Sequence, residues 1–317
     1  MLPTSADVLA ASQRLRGVAV RTPLARSAVL TSRLGAEVFL KCEQQQRTGS
    51  FKLRGAYNAL AVLPAEARGR GVIAASAGNH GLGVAYAARS LAIHAKIFLP
   101  ATAPEVKRSG IVALGAEIDM TSPDYDAAHH AAELYAREHG MTFVDPCKGA
   151  PLLAGQGTVA VEILDVLPHV RTLIVPVGGG GLVGGIAAFV RTAAPGMHIV
   201  GVQSDRTNAM AASLAAGHRV TVAVTSTLAD GLAGQIDDDG YEIGQAAIDE
   251  MATVSEEQIT DAIAELARDH GTRVEGSGAV GVAAVLSGRT GTLTGPVAVV
   301  LSGGNIDEER WKGIVGG

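Results

Sequence analysis

The sequence predicts an α/β protein, with a twisted, mostly parallel sheet covered by helices on both faces and divided between two domains. Three observations carry that expectation. Short apolar runs alternate with amphipathic segments along most of the chain, hydrophobic residues make up 47% against 18% charged, and 40 glycines punctuate a chain with 3% aromatics. Alternating βα units imply parallel strands joined by crossover helices. A charged fraction below the ~25% of ordinary soluble proteins means that more surface than usual is buried, in a covered sheet and a subunit interface. At 317 residues and ~100–200 residues per domain, the chain is two domains or one large one. Glycine at roughly twice its ~7% base rate, without a collagen period, points to tight turns and to backbone brought close to a ligand.

In chain order, the apolar runs at 38–41, 71–75, 96–99, 116–120, 173–177, 198–202 and 297–301 read as strands. The segments 53–63, 79–90, 104–114, 125–139 and 157–164 read as the helices between them. A further helix over 256–269 opens on a capping box, Ser255 with Gln258 three residues on. The stretch 172–190 holds 19 residues without a charge, long enough to span a bilayer, but contains Pro176 and six glycines. At ~1 kcal/mol per interior glycine and ~3 for proline it is no continuous helix, and it reads as strand, glycine loop and helix. No internal repeat or low-complexity segment interrupts the pattern.

Several function classes are excluded. The net charge is −5, with 26 basic residues scattered among 31 acidic ones, so no nucleic-acid partner is expected. Cys42 and Cys147 lack metal-ligand spacing and read as structural. The N-terminus lacks the basic and apolar regions of a signal peptide, which fits a cytoplasmic location with no membrane partner.

Four segments stand where a strand ends and a helix opens, so that backbone N–H groups and the helix dipole favour an anion. They are 48–55, 76–81, 178–182 and 301–305. In open α/β sheets such loops converge on the ligand. The tetraglycine Gly178, Gly179, Gly180 and Gly181 lets several amides curl toward one phosphate. Gly179, Gly181 and Gly184 also spell G-x-G-x-x-G, with Asp205 about 20 residues later, as in a dinucleotide site. A dinucleotide site, a single-phosphate cradle and plain helix–strand packing all remain open for this segment by itself. Lys52 sits at a helix start between Phe51 and Leu53, where desolvation lowers an amine's pKa. An arbitrary lysine simply reaches solvent in such a place; a Schiff-base lysine needs the lowered pKa. An imine-forming lysine, a phosphate cradle and polar loops together are what pyridoxal phosphate requires, and a dinucleotide needs no such lysine.

The segments 50–56, 76–81, 178–182 and 302–305 resemble, in order, the signatures of fold-type II pyridoxal-phosphate enzymes with the tryptophan synthase β-like architecture. Within that group Arg54-Gly55 and Asn79-His80-Gly81 resemble the serine/threonine dehydratase branch, related to serine racemase. The resemblance covers about residues 21–307. It implies that Lys52 carries the cofactor as an imine and removes the substrate Cα proton, with Phe51 packed nearby. It implies that Asn79 donates to the cofactor's ring oxygen, and that Gly178, Gly179, Gly180, Gly181 and Leu182 hold the phosphate. Ser302 bonds the pyridine nitrogen, and Glu275 lies near the pyridine edge or simply starts a helix. Ser76, Ala77, Gly78, Asn79 and His80 form the loop that grips the substrate carboxylate, although His80 also fits as a packing residue. A neutral hydroxyl at Ser302 leaves the nitrogen unprotonated, a weaker electron sink that suits quick β-elimination.

Departures from the pattern shape the expected activity. Where racemases carry a serine as second acid/base, this chain has Ala77, so racemisation is expected to be poor. The family's divalent-cation positions fall on Gln203 and Ala209, with Thr207 between, so no metal is expected. The sequence stops ten residues after Asp307, and no isoleucine feedback through a C-terminal module is expected. The expectation is a large cofactor-binding domain from 1–69 and 149–317 with a small βα domain at 70–148, assembled as a homodimer or homotetramer. The expected reaction is dehydration and deamination of L-threonine or L-serine to a 2-oxo acid and ammonia. Alternatives are another β-hydroxy amino acid (hydroxyaspartate, phenylserine or a hydroxyectoine product), a racemase-like enzyme, a nucleotide-binding protein or a catalytically silent sensor. The segment 275–278 departs from the racemase pattern and keeps the substrate question open.

Overall fold

A computed structural model describes residues 2–76, 78–101, 103, 105–291, 293 and 295–316, with backbone only at 105–107. Helix α1 (Ser5–Arg14) leads into β1 (Leu24–Ser27), α2 (Ala28–Leu34), β2 (Val38–Lys41), α3 (Lys52–Ala61) and α4 (Ala65–Arg70). Then follow β3 (Val72–Ala75), α5 (Asn79–Ser90), β4 (Ala95–Pro100), α6 (Glu105–Ala113), β5 (Glu117–Ser122), α7 (Tyr125–Glu138) and β6 (Thr142–Phe143). The remainder is α8 (Ala150–Val166), β7 (Thr172–Pro176), α9 (Gly181–Ala193), β8 (His198–Ser204), α10 (Ala209–Ala216), α11 (Asp238–Ala247), β9 (Glu250–Val254), α12 (Glu256–His270), α13 (Gly276–Leu286), β10 (Val297–Val300) and α14 (Glu308–Val315).

These strands form two sheets. The larger has the order β1-β2-β10-β7-β8-β9, parallel except that β1 is antiparallel to β2. The smaller, β5-β4-β3-β6, is parallel throughout. Helices cover both faces of each. One face of the larger sheet packs Leu173, Val175 and Ile199 against Val8, Val159, Val183 and Ile186; the other packs Ile174, Val200 and Val299 against Leu30, Ile263 and Val280. Ala74, Ile97 and Leu99 of the smaller sheet meet Ala56, Val84 and Ala85, while Ile73 and Phe98 meet Ala128 and Ala132. Burial on both faces explains the continuous apolar runs of β3 and β7. The α12 capping box forms: Gln258 N–H donates to Ser255 Oγ at 3.3 Å and Ser255 N–H to Gln258 Oε1 at 2.9 Å.

The structure corrects the predicted start of the helix at 157, since α8 begins at Ala150. Gly155 and Gly157, which weaken a helix by propensity, are close contacts here. A Cβ on Gly155 would lie 2.4 Å from Arg54 O, and one on Gly157 would lie 2.4 Å from Gly185 O. Close helix crossing therefore overrides propensity. The 172–190 stretch resolves into β7, the glycine loop and most of α9, and among the described residues no helix is long and apolar enough to cross a membrane.

Candidate active site

Lys52 is the first residue of α3, where the chain turns after pairing with the segment that follows β10. Ser50 bridges Gly303, and Phe51 N–H donates to Ser302 O at 3.1 Å. Helix α5 presses on the same turn, because a Cβ on Gly83 would lie 3.1 Å from the Lys52 carbonyl carbon. Two of the four motif segments and the helix that follows a third are thus in contact at the lysine. Its half-buried Nζ donates to Pro146 O at 2.9 Å and lies 5.3 Å from the centre of the Phe51 ring.

Behind this turn lies a buried ionic network. Arg54, 1% exposed, holds Glu43 through Nε and Nη2, both at 2.8 Å, and Glu162 through Nη1 and Nη2 at 2.7 and 2.9 Å. Lys41 adds bonds to Glu162 Oε2 at 2.6 Å and Thr22 O at 2.7 Å. Burial by itself would raise the Glu43 carboxyl, but the Arg54 charge and hydrogen bonds, then Lys41 and Thr22, hold it below the usual carboxylate range. Two cations face two anions, so the network is neutral and ties α3 to β2 and α8.

The glycine loop links β7 to α9. Gly180 has φ +94°, a left-handed conformation that favours glycine. At the other three positions the space is tight: a Cβ on Gly178 would lie 3.2 Å from Leu232 Cα, on Gly179 2.9 Å from Cys147 Sγ, and on Gly181 3.0 Å from Cys147 Cα. Among the described residues, the backbone N–H groups of Gly178, Gly179, Gly180, Gly181 and Leu182 have no acceptor. Unpartnered amides at the start of a 13-residue helix make an anion cradle. Gly184, the last glycine of the dinucleotide pattern, serves packing: its Cβ would meet Ile243 Cγ2 at 2.7 Å.

The remaining predicted residues surround these two features. Asn79 donates through Nδ2 to Glu275 Oε1 at 2.7 Å and accepts through Oδ1 from Asn305 Nδ2 at 2.6 Å. Glu275 is the N-cap residue of α13 but sends its carboxylate to Asn79 and makes no side-chain cap bond. Ser302 is buried, its Oγ 3.4 Å from Ser277 O. Ser76 Oγ accepts from Gly78 N–H at 3.1 Å, and a Cβ on Gly78 would meet open space. His80 is 3% exposed; Nε2–H donates to Val144 O at 2.8 Å, and Nδ1 has no partner among the described residues. Burial first, then the Lys52 charge, pushes its pKa down to about 3, so the ring is neutral. Ala77 lies outside the described residues. The cation positions show Gln203 Oε1 accepting Ala211 N–H at 2.9 Å, Thr207 buried, and Ala209 opening α10.

The segment after β6 is what sequence reasoning missed. Val144 holds His80, Pro146 holds Lys52, and Cys147 packs on Gly179 and Gly181. Cys147, read as structural, lies against the cradle. The signal was available in principle, since loops at the carboxyl ends of parallel strands line sites, but a two-residue strand leaves no periodicity to find. An amine and an anion cradle on consecutive residues fit a ligand carrying both a carbonyl and a phosphate.

Comparison with known proteins agrees with that geometry. The family model described as pyridoxal-phosphate dependent enzyme matches residues 15–303. The L-threonine ammonia-lyase of Thermotoga maritima is 44% identical over 305 residues, covering 96% of this chain and 76% of the relative. Among solved structures, the processed form of threonine deaminase isoform 2 from Solanum lycopersicum superposes with a TM-score of 0.92 at 34% identity, covering 98% and 91% of the two chains. Maize serine racemase gives 0.94 at 30% identity, covering 99% and 97%.

Proposed function

Because the chain belongs to the family of pyridoxal-phosphate dependent enzymes, we propose that it eliminates water from L-threonine and L-serine, yielding a 2-oxo acid and ammonia. It is a lyase, and pyridoxal phosphate is its cofactor. The observation that carries the reading is the placement of Lys52 Nζ on Pro146 O and of the glycine loop, whose amides are unpartnered among the described residues, against Cys147, one residue further on. When bound, pyridoxal phosphate supplies an aldehyde that captures amines and a ring that draws electron density from the substrate Cα. Lys52 supplies the amine for that aldehyde and takes the Cα proton. The amides of Gly178, Gly179, Gly180, Gly181 and Leu182 hold the phosphate. Asn79 donates to the ring oxygen, Ser302 bonds the ring nitrogen, and Phe51 packs beside them.

The first amides of α5, with Ser76 and Gly78, orient the substrate carboxylate. Neutral His80 adds no charge there, and its fixed Nε2 bond keeps Nδ1 an acceptor. Loss of the Cα proton and the Cβ hydroxyl as water leaves an enamine that rearranges and hydrolyses to the 2-oxo acid and ammonia. Glu275 lines the same edge through Asn79. The chain works as a homodimer or homotetramer in the cytoplasm, with 1–69 and 149–317 as the larger domain and 70–148 as the smaller; its low charged fraction and two sheets support this.

Ammonia and 2-oxo acid release from a panel of β-hydroxy amino acids tests the reaction. L-threonine and L-serine are expected to lead, and preference for another member of the panel would overturn the assignment. Chiral chromatography of residual serine should show little D-serine, with Ala77→Ser raising racemisation more than elimination. Borohydride reduction and peptide mapping should label Lys52.

A further inference from the structure

Asn79, Glu275 and Asn305 form one hydrogen-bonded chain whose polarity is fixed at both ends. Asn305 Nδ2 donates to Thr48 O at 2.8 Å and to Asn79 Oδ1 at 2.6 Å, and Asn79 Nδ2 donates to Glu275 Oε1 at 2.7 Å. A flipped Asn79 would set its NH₂ against the Asn305 NH₂ and its oxygen against a carboxylate. Both contacts repel, so only one orientation is bonded. Two glycines make room for the chain. A Cβ on Gly49, itself at φ +73°, would lie 2.3 Å from Asn305 Oδ1, and a Cβ on Gly303 would lie 2.4 Å from Glu275 Oε1 and 3.1 Å from Asn79 Nδ2. The second Nδ2 hydrogen of Asn79 has no acceptor among the described residues.

We infer that Asn305 is a positioning residue: with Glu275 it sets the direction of the Asn79 amide, so that a donor and not an acceptor faces the ligand. The inference rests on the proposed role of Asn79 toward the cofactor's ring oxygen. Asn305 needs no contact with the cofactor, since it acts through the amide it orients. Its signature is that the polarity of the chain matters as well as its presence.

Asn305→Asp keeps the shape and removes the donors. Pyridoxal phosphate should bind this variant about tenfold more weakly, and the visible band of the bound cofactor should change its pH titration, because one hydrogen bond is lost or reversed. Asn305→Asp combined with Glu275→Gln allows the two Asn79 bonds to re-form with reversed polarity, although the bond to Thr48 O stays lost. Thermal stability of the cofactor-free protein should return toward that of the unmodified chain while cofactor affinity and spectrum stay altered. Asn79→Ala serves as the reference. If Asn79→Ala moves affinity and spectrum but neither Asn305 variant does, the positioning role is wrong. If Asn79→Ala moves neither, the Asn79 assignment itself fails and takes the inference with it. Recovery of affinity in the double variant would show that only the bonding of the chain matters, which also overturns the proposal.

Discussion

Behind Lys52 the fold buries Lys41, Arg54 and Glu43 and half-buries Glu162, whereas the groups closest around the glycine loop's Cβ positions, the side chains of Cys147, Ile243 and Met210 and the backbone of Leu232, are uncharged. The lysine stands on a helix fixed by directional bonds across β2, α3 and α8. The cradle is fixed by close contacts that leave little room for a Cβ. Charge fixes an orientation strongly but only as a complete set; close packing fixes a shape and tolerates small adjustments. A base that must meet one proton suits the first construction, and a cradle of backbone amides suits the second.

The sharpest way to break this contrast is to remove one member of the ionic set. Arg54→Met leaves Glu43, which is fully buried, and Glu162 facing Lys41 alone. An uncompensated buried charge costs about 3–5 kcal/mol, a large part of an ordinary domain's stability. Urea unfolding of the cofactor-free protein should show that loss. A change under about 1 kcal/mol would mean that water reaches the network and that α3 is held by packing.

On the opposite wall, Gly179→Ala should cost about 1–2 kcal/mol of stability by overpacking, and about tenfold in pyridoxal phosphate affinity as the cradle is displaced. Its added methyl meets the Cys147 side chain, Sγ at 2.9 Å and Cβ at 3.2 Å. Cys147→Ala should therefore recover part of both losses. The same second substitution should not help Gly181→Ala, whose Cβ meets the Cys147 backbone. Equal rescue of both would show that the loop moves as a unit.

Acid separates the walls by a different route. The His80 pKa is depressed to about 3 from its ordinary 6.5, and that of Glu43 is held below its ordinary 4.5. Groups depressed on folding add stability above their unfolded pKa and lose it as pH falls toward the folded one. Stability should therefore decline below pH 6.5 through His80, by up to about 1.4 kcal/mol per pH unit, and more steeply below pH 4.5 as Glu43 joins. Replacing His80 by Gln should flatten the profile between pH 6.5 and 5 in denaturant titrations. An unchanged slope there would place the proton uptake elsewhere.

What the sequence disclosed follows the same division. Strands buried on both faces and amphipathic helices leave a pattern, and 79–90 matches α5 to the residue. The edge strand β1, Leu24-Ala25-Arg26-Ser27, alternates neither in polarity nor in burial and was invisible. A motif is visible along the chain, and the fold brings the segments that hold Lys52, Asn79 and Ser302 together, through Phe51 N–H on Ser302 O and Asn305 on Asn79. Pro146 and Cys147 were not legible, because their role depends on which loop ends beside which, and no spacing along the chain encodes that. Arg54 was visible only as part of a motif, and its two carboxylate partners lie 11 and 108 residues away.

The smallest expected effect isolates burial from charge. Arg21 and Asp165 form an ion pair at 3.2 Å between the segment that carries Thr22 and the helix that carries Glu162, so they join nearly the same pieces of chain as the buried network. Their side chains are 56% and 53% exposed. Water already solvates both ions, the pair gains little Coulomb energy, and holding the long arginine in one geometry offsets part of it. Arg21→Ala should therefore cost no more than about 1 kcal/mol, and the effect should shrink further in 1 M salt, where the screening length is about 3 Å. The Arg54→Met loss should change little over the same salt range. An Arg21→Ala loss approaching that of Arg54→Met would show that connecting these elements by charge matters wherever the charge sits, and the contrast between the two walls would then rest on connectivity instead of burial.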